Sequence, residues 1–563
     1  MSPARSEGVA FDLAAARARP AGVLVTNGKL VMALTVLLAV GLQVRFGAFG
    51  DVSWLITVCE GWLDGKTPYV DFIETNPPPA ILLYMPPTWV ARALHLRPEM
   101  VTAAYGLTVA CAAVALTTGI LTRAGLLERR ATYFGPIALL AVTVLPGRIF
   151  DERDFFALLF GLPWVAVACA RAVRAPVDWL PAVLAGLGAG LMVAIKPPYG
   201  AAPALLMLYV ASTAGGAGAM YAIEPVVAAA TVGVMAAVSW FGFPAYFTNV
   251  LPMVTAAYLP VRENIATLLA NAGLVCALTL GGLVFVASPR RTPNPIARGF
   301  LVASAGAILA YFVQCKGWLY HIYPALALAA IAFGATLETR ARDWPAFALA
   351  GALAAATLLG AAALDLSPIP TALAGALVAR LALMRRSPDR GRERLSILAG
   401  GAMMGAASGL FALSFPGPTP DFTRTLLSYA PHPRLASIGE GLGIGFPLMR
   451  NVDGVWTMRV QGMLMTAGAR RLMDLNPGDE ALKARLAPII ARERDWVAAD
   501  LEANAPDILL VGRHGPRFHA WAMNDSKLSE ARASYRFVTS NANPDWPVDL
   551  YVRKDLLGLR DEP

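Results

Sequence analysis

Pro79-Ala-Ile-Leu-Leu-Tyr-Met-Pro-Pro-Thr-Trp-Val-Ala-Arg-Ala-Leu-His-Leu96 is the stretch on which the reading of the whole chain turns. It is apolar enough to cross a bilayer, which takes about 20 predominantly apolar residues. It also carries Pro86 and Pro87 and follows Pro77 and Pro78, and proline breaks or kinks a helix interior. If it crosses, every later loop changes side. Arg123, Arg129 and Arg130, then Arg171 and Arg174, then Arg290, Arg291 and Arg298 would face outward, with Arg340, Arg342 and the run from Arg385 to Arg394. Cytoplasmic loops carry the excess of Lys and Arg. The sequence therefore predicts that 79–96 is a re-entrant or surface helix on the outer side, with all the arginine clusters inside.

Outward from this stretch the chain reads as an integral membrane protein. Of 563 residues, 56% are hydrophobic and only 15% charged, against about 25% charged in soluble domains. Thirteen spans are expected: 28–48, 100–122, 133–147, 155–170, 180–195, 199–214, 222–243, 266–287, 299–314, 322–337, 345–364, 369–384 and 396–415. The net charge of +9 lies between apolar spans and reads as loop anchoring, not as nucleic-acid binding. Cys111, Cys169 and Cys276 fall within spans and read as small core residues; Cys59 and Cys315 complete the five, and no Cys/His metal spacing occurs. The first 25 residues show no cleavable signal pattern, so the first span is expected to direct insertion.

The expected organisation is a cytoplasmic tail at 1–27, a polytopic α-helical transmembrane domain at 28–415 with an outer loop of juxtamembrane helices at 49–99, and a soluble extracytoplasmic α/β domain at 416–563. In the last part, Leu482, Leu486, Ile489, Ile490, Val497 and Leu501 recur at helical spacing, predicting an amphipathic helix over 480–503. Strands are expected at Asp507 to Val511, Val548 to Val552 and Leu435 to Ile438. The glycine run Gly439 to Gly445 lacks the Lys-Ser/Thr of a phosphate loop and reads as a strand-to-loop turn.

Chemistry-bearing residues collect on the outer side. Asp51 emerges directly from the first span, where an acid at the rim of a bundle is either surface charge or functional. Ser53, Thr57, Glu60 and Asp64 follow on one helical face and Trp54, Leu55, Val58 and Trp62 on another, predicting an interfacial helix in which Glu60 and Asp64 form a solvated face. The loop Gly147-Arg-Ile-Phe-Asp-Glu-Arg-Asp154 alternates carboxylates and arginines. That pattern suits a phosphate or pyrophosphate, held by Arg148 and Arg153 or through a metal; the alternative is an interhelical ion-pair network. Lys196, and the group Lys316, Tyr320 and His321, place positive charge on the outer side against the general trend. An anionic ligand is one explanation and snorkelling to headgroups the other.

Together these features resemble the GT-C superfamily of membrane glycosyltransferases, in particular the branch of protein O-mannosyltransferases and lipid A aminoarabinose transferases. The resemblance rests on Asp51-Val-Ser-Trp54, on Gly61-Trp-Leu-Asp-Gly-Lys-Thr-Pro-Tyr69, on Glu74-Thr-Asn-Pro-Pro-Pro-Ala-Ile-Leu-Leu-Tyr84, and on the charged loop from Arg148 to Asp154. It covers 28 to about 170 in detail and the rest only in layout. Asn76 stands where the family often has a lysine, so Lys196 or Lys316 would supply that charge.

The resemblance implies an inverting glycosyltransferase of the plasma (inner) membrane. It would move a sugar from a polyprenyl-phosphate donor to a hydroxyl of a glycan, lipid or protein at the outer face. Asp51 would be the general base. Arg148, Arg153, Lys196, Lys316, Tyr320 and His321 would hold the donor phosphate, and Asp151, Glu152 and Asp154 would form the acidic second motif. A divalent cation, magnesium or manganese, bound by Asp51, Asp151 and Glu152 is left open. Two other readings stand beside it: a transporter or flippase of lipid-linked sugars, which calls for paired acids within spans and inverted repeats, and a non-catalytic membrane component of an envelope-polysaccharide assembly.

Overall fold

A computed structural model describes residues 28–128, 134–214, 216, 222–288, 292–338, 350–355, 389–414, 419–541, 543 and 546–558. Most of it is a bundle of apolar helices: α1 (Gly28–Phe46), α2 (Gly50–Leu63), α3 (Pro78–Leu94), α4 (Pro98–Arg123), α5 (Phe134–Thr143), α6 (Arg153–Ala172) and α7 (Trp179–Ile195) come first. There follow α8 (Ala201–Ala214), α9 (Ile223–Gly242), α10 (Ile265–Leu269), α11 (Ala272–Ala287), α12 (Pro295–Gln314), α13 (Leu319–Leu337) and α14 (Asp389–Leu413).

The expected count of thirteen spans does not follow from helix length. Among the described residues six helices are long and apolar enough to cross a membrane, or seven if the bent pair α1–α2 counts as one span. The expected segments at 133–147, 180–195 and 199–214 are helices of 10, 17 and 14 residues. The expected 266–287 span is broken, because the Asn271 side chain accepts from the Gly273 and Leu274 amides and starts a new helix there. Of 345–364 only 350–355 is described, and 369–384 lies outside the described residues.

α6 and α13 form the centre of the bundle, with 89% and 94% of their apolar windows buried. Small residues allow this closeness, as in other membrane bundles. A Cβ on Gly188 would come within 2.2 Å of the Phe160 carbonyl of α6, and one on Gly334 of α13 within 2.6 Å of Ile137 Cγ2.

The 79–96 stretch is α3, a 17-residue helix that runs on through Pro86 and Pro87 and packs against α2 and α4. It is not among the helices long enough to cross. α2 departs from expectation. It bends 77° away from α1, yet it is not an interfacial helix with a wet polar face: Val52 to Ile56, Val58 and Cys59 are all buried. What covers it is α3 on one side and the C-terminal part of the chain on another, through Phe446 on Trp54 and Arg450 on Glu60.

That part contains α15 (Pro420–Tyr429), β1 (Arg434–Ile438), β2 (Val455–Trp456), α16 (Leu464–Leu475), α17 (Glu480–Asn504), β3 (Ile508–Gly512), α18 (Pro516–Asn524), α19 (Ser526–Ala531), β4 (Tyr535–Ser540) and β5 (Val548–Arg553). The sheet order is β2-β1-β3-β5-β4. β2, β1 and β3 run parallel, with Ser437 opposite Leu510, and β5 and β4 are antiparallel. The three expected strands and the 480–503 helix are present as β1, β3, β5 and α17. The glycine run is the turn out of β1 into a short 3-10 turn at Leu442–Ile444.

Glu493 of α17 is buried and accepts the Met465 and Thr466 amides at the first turn of α16, the last at 2.6 Å. Anions suit a helix N-terminus, but burial outweighs those bonds and lifts this carboxyl from 4.5 to about 7. A raised carboxyl stabilises the fold below its unfolded value, and that contribution is lost as pH rises through the folded value. Glu493→Gln should therefore gain in melting temperature relative to wild type as pH rises from 4.5 to about 7. A difference that does not vary over that window would show that Glu493 is not a buried neutral acid.

Candidate active site

The site is assembled where the break between α1 and α2 meets the start of α6. The loop before α6 reverses at Asp151, whose φ is +65°. Glu152 then caps α6, its carboxylate accepting the Arg153 amide. This brings the Arg153 guanidinium, 7% exposed, beneath the first turn of α2. One of its amino groups lies 3.1 Å from Asp51 Oδ2 and 3.4 Å from Glu152 Oε1. Its other amino group donates to the Asn76 side-chain oxygen.

Asn76 thus acts as a bridge. Its backbone and side-chain amides donate to Glu74 at 2.6 and 2.5 Å. Glu74 is fully buried and also accepts the indole N–H of Trp54. Glu74 appeared in the sequence only as part of a motif, and nothing local marks it as a member of the site.

The next residue of α6, Asp154, is also fully buried and pairs with the Lys196 ammonium. It accepts the Tyr199 hydroxyl, which lies 3.0 Å from the His321 carbonyl. The Lys196 ammonium stands 5.3 Å over the Tyr320 ring. Tyr320 in turn packs on Phe49, just before α2, with ring centres 5.9 Å apart. Asp51, Glu152, Arg153, Asp154, Lys196, Tyr320 and His321 therefore surround one end of α6.

Three other predicted residues do not join them. Arg148 donates to the Ala412 carbonyl at 2.8 Å and lies on the Phe46 ring. The Asp151 carboxyl is packed under Gly106, and one of its oxygens has no partner. Lys316 donates to the Tyr258 and Val261 carbonyls at 2.7 and 2.6 Å. Burial and the nearby Arg471 and Arg262 depress it to about 8. Glu60, expected to be solvated, is an ion-pair partner of Arg450, because the C-terminal part covers that face of α2.

The electrostatics separate the acids. Burial, and then the adjacent Glu152 carboxylate, push Asp51 well above the usual carboxylate range, against the pull of Arg153. Burial also raises Glu74, with Arg153 opposing. Burial works on Glu152 in the same direction, but Arg153, the hydrogen bond shared with Asp51, and Lys196 prevail and hold it down to about 2. Two carboxyls in contact with pKa values driven apart are the usual arrangement for acid–base work. Among the described residues no three His, Cys, Asp or Glu side chains converge as a metal-holding group. The ionised acids are already matched by Arg153 and Lys196, so the residues present do not fit a divalent ion.

No family model matches the chain, and no curated protein matches it in sequence. Solved structures do match. The crystal structure of ArnT from Cupriavidus metallidurans in the apo state superposes with a TM-score of 0.56, covering 95% of this chain and 99% of that one at 14% identity. Its fold is the ArnT fold. The same enzyme bound to undecaprenyl phosphate matches with a TM-score of 0.53, again at 14% identity with 95% and 99% coverage. At this identity the likeness extends to the fold, and it runs through the C-terminal sheet, which the sequence could relate to nothing.

Proposed function

We propose that this protein is a polyprenyl-phosphate-dependent glycosyltransferase acting at the outer face of the plasma (inner) membrane, with Asp51 as general base. The observation that carries the reading is the buried Asp51–Glu152–Arg153 group, set in an ArnT fold whose crystallised member holds undecaprenyl phosphate. In the reaction the acceptor hydroxyl gives its proton to Asp51, and its oxygen attacks the anomeric carbon. The bond from that carbon to the phosphate oxygen breaks, with inversion, and the polyprenyl phosphate leaves. A base poised above the ordinary carboxylate range suits proton transfer near neutral pH. Arg153, Lys196 and Tyr320 are placed to receive the charge that grows on the leaving phosphate. Part of the lipid chain would lie along the apolar surface lined by Leu158, Trp164, Met192, Leu206, Ala303 and Leu328. The arginine distribution supports a cytoplasmic N-terminus and an external C-terminal part.

Purified protein given a polyprenyl-phosphate sugar labelled in the sugar, together with envelope lipid and glycan extract as the source of acceptor hydroxyls, is expected to form a new glycosidic bond without an ion gradient. Movement of the lipid across vesicles with no bond formed would favour the flippase reading instead. The rate should climb with pH through a limb above the usual carboxylate range, because the base must be ionised to act.

A further inference from the structure

We infer that the C-terminal part of the chain is a working component of the catalytic site, with Arg450 and the Asp500–Arg459 pair acting as positioning residues for Asp51 and Glu74. The inference rests on the glycosyltransferase reading for what is positioned, and on three separate contacts for how.

The first contact is Arg450, on the short helical turn Leu448–Asn451 that precedes β2. Its side chain is 10% exposed. It donates to the two Glu60 oxygens at 2.6 and 3.1 Å, to the Thr57 hydroxyl at 3.2 Å, and to Glu99. Thr57 and Glu60 belong to α2, whose first turn carries Asp51, and Glu99 belongs to α4. A planar guanidinium fixed by three acceptors on two helices fixes their rotation as well as their separation. Turning α2 about its axis would swing Asp51 away from Arg153.

The second contact is a backbone one. The Ile73 amide donates to the Arg459 carbonyl at 2.7 Å, in a parallel bridge that pairs Ile73 with Val460. Ile73 directly precedes Glu74. Arg459 is itself held by Asp500 of α17, which accepts its backbone amide at 2.8 Å and its guanidinium at 2.7 and 3.0 Å. A chain of contacts thus runs from the sheet domain to the buried acid.

The third contact is aromatic. Phe446 stacks edge-on against Trp54 at 5.4 Å, and the Trp54 indole N–H is a hydrogen-bond donor to Glu74. All three contacts cross from the C-terminal part to residues of the helix and the loop that carry Asp51 and Glu74. A covering domain that only shielded the site would not need to bond to the helix and the loop that carry them.

The test uses the full-length protein with Arg450→Met, Arg450→Lys and Asp500→Asn. With polyprenyl-phosphate sugar as substrate, Arg450→Met and Asp500→Asn should lose about 100-fold in kcat, the scale of a 1 Å misplacement. KM for the donor should change less than about threefold, because the leaving-phosphate groups are untouched. Arg450→Lys should recover part of the loss. Amide exchange, read by mass spectrometry, should quicken about tenfold at 70–77 in Asp500→Asn, as expected for a loop released from its anchor, and at the α2 segment 57–63 in Arg450→Met. Variants that melt earlier but keep wild-type kcat and wild-type exchange at these segments would overturn the proposal and leave these residues a purely structural role. If wild type shows no transfer at all, the glycosyltransferase reading fails, and the exchange measurement still decides whether the C-terminal part holds the Glu74 loop.

Discussion

Asp51→Asn should lower transfer about 10³-fold, within the range attributed to a positioned general base, while leaving the protein folded. Burial and Glu152 hold the Asp51 carboxyl well above the ordinary range, so removing its charge relieves a cost of burial. Asparagine has the same shape and no charge, and its carbonyl oxygen can still face the Arg153 guanidinium 3.1 Å away. The melting temperature should therefore hold or rise. The donor KM should change little, since the loss lies in the transition state and not in binding. The pH–rate limb assigned to the base should vanish with the carboxyl. Glu74→Gln is the informative companion, because Glu74 is the other buried acid raised beside Arg153. If Glu74→Gln abolishes turnover and Asp51→Asn does not, the base is Glu74 and the assignment made here is wrong.

How much of this could be read from the chain depends on the range of the interaction. The apolar run Ile508 to Gly512 predicts a buried strand, and all five residues are buried. The edge strand Tyr535–Ser540 gives no such signal. It alternates Arg536 with Phe537 and Thr539 on an exposed edge, and its ladder carries an irregularity between Phe537 and Thr539. An edge position lets polar residues into a strand, and the periodic pattern then fades. The same limit divides the charged loop. Arg148 and Arg153 look equivalent in sequence, but the left-handed residue Asp151 between them turns the chain. Arg153 opens α6 facing Asp51, and Arg148 is left against Phe46 and Ala412.

Partners distant in sequence were out of reach altogether. Glu60 looked like a solvated acid because its partner, Arg450, lies 390 residues further on. Glu74 stood out only as part of a motif ahead of a proline run, because the partners that enclose it, Trp54 and the bridge from Ile73 to Arg459, lie elsewhere in the sequence. Asp51 was legible for a different reason. An acid at the end of a span is costly wherever the span ends inside protein, and that cost is a local property of the sequence.

Arg153→Met should be the most damaging single change, in stability as well as in turnover. The guanidinium faces Asp51 at 3.1 Å and Glu152 at 3.4 Å and also bonds Asn76. Removing one partner of a buried ion pair leaves uncompensated charge and costs about 3–5 kcal/mol. The charge left behind is mainly that of Glu152, which Arg153 does most to keep ionised. The sign with pH follows. In wild type the Glu152 carboxyl is depressed, so its pairing stabilises the fold above the ordinary 4.5 and is lost as pH falls towards about 2. Without Arg153 burial dominates and Glu152 is stable only as the neutral acid, so the variant is worst off above 4.5. The gap in melting temperature between wild type and Arg153→Met should thus be wide at pH 7 and narrow in acid. Adding Glu152→Gln should close much of the gap at pH 7, because the orphaned charge is then gone. Transfer should not return with stability: loss of one charge-stabilising donor costs about 10² to 10³ in kcat, and the double variant still lacks it. Equal melting of wild type and Arg153→Met at pH 7 would show that the acids around α6 do not depend on Arg153. Recovered turnover in the double variant would remove Arg153 from the chemistry and leave it a purely structural counter-charge.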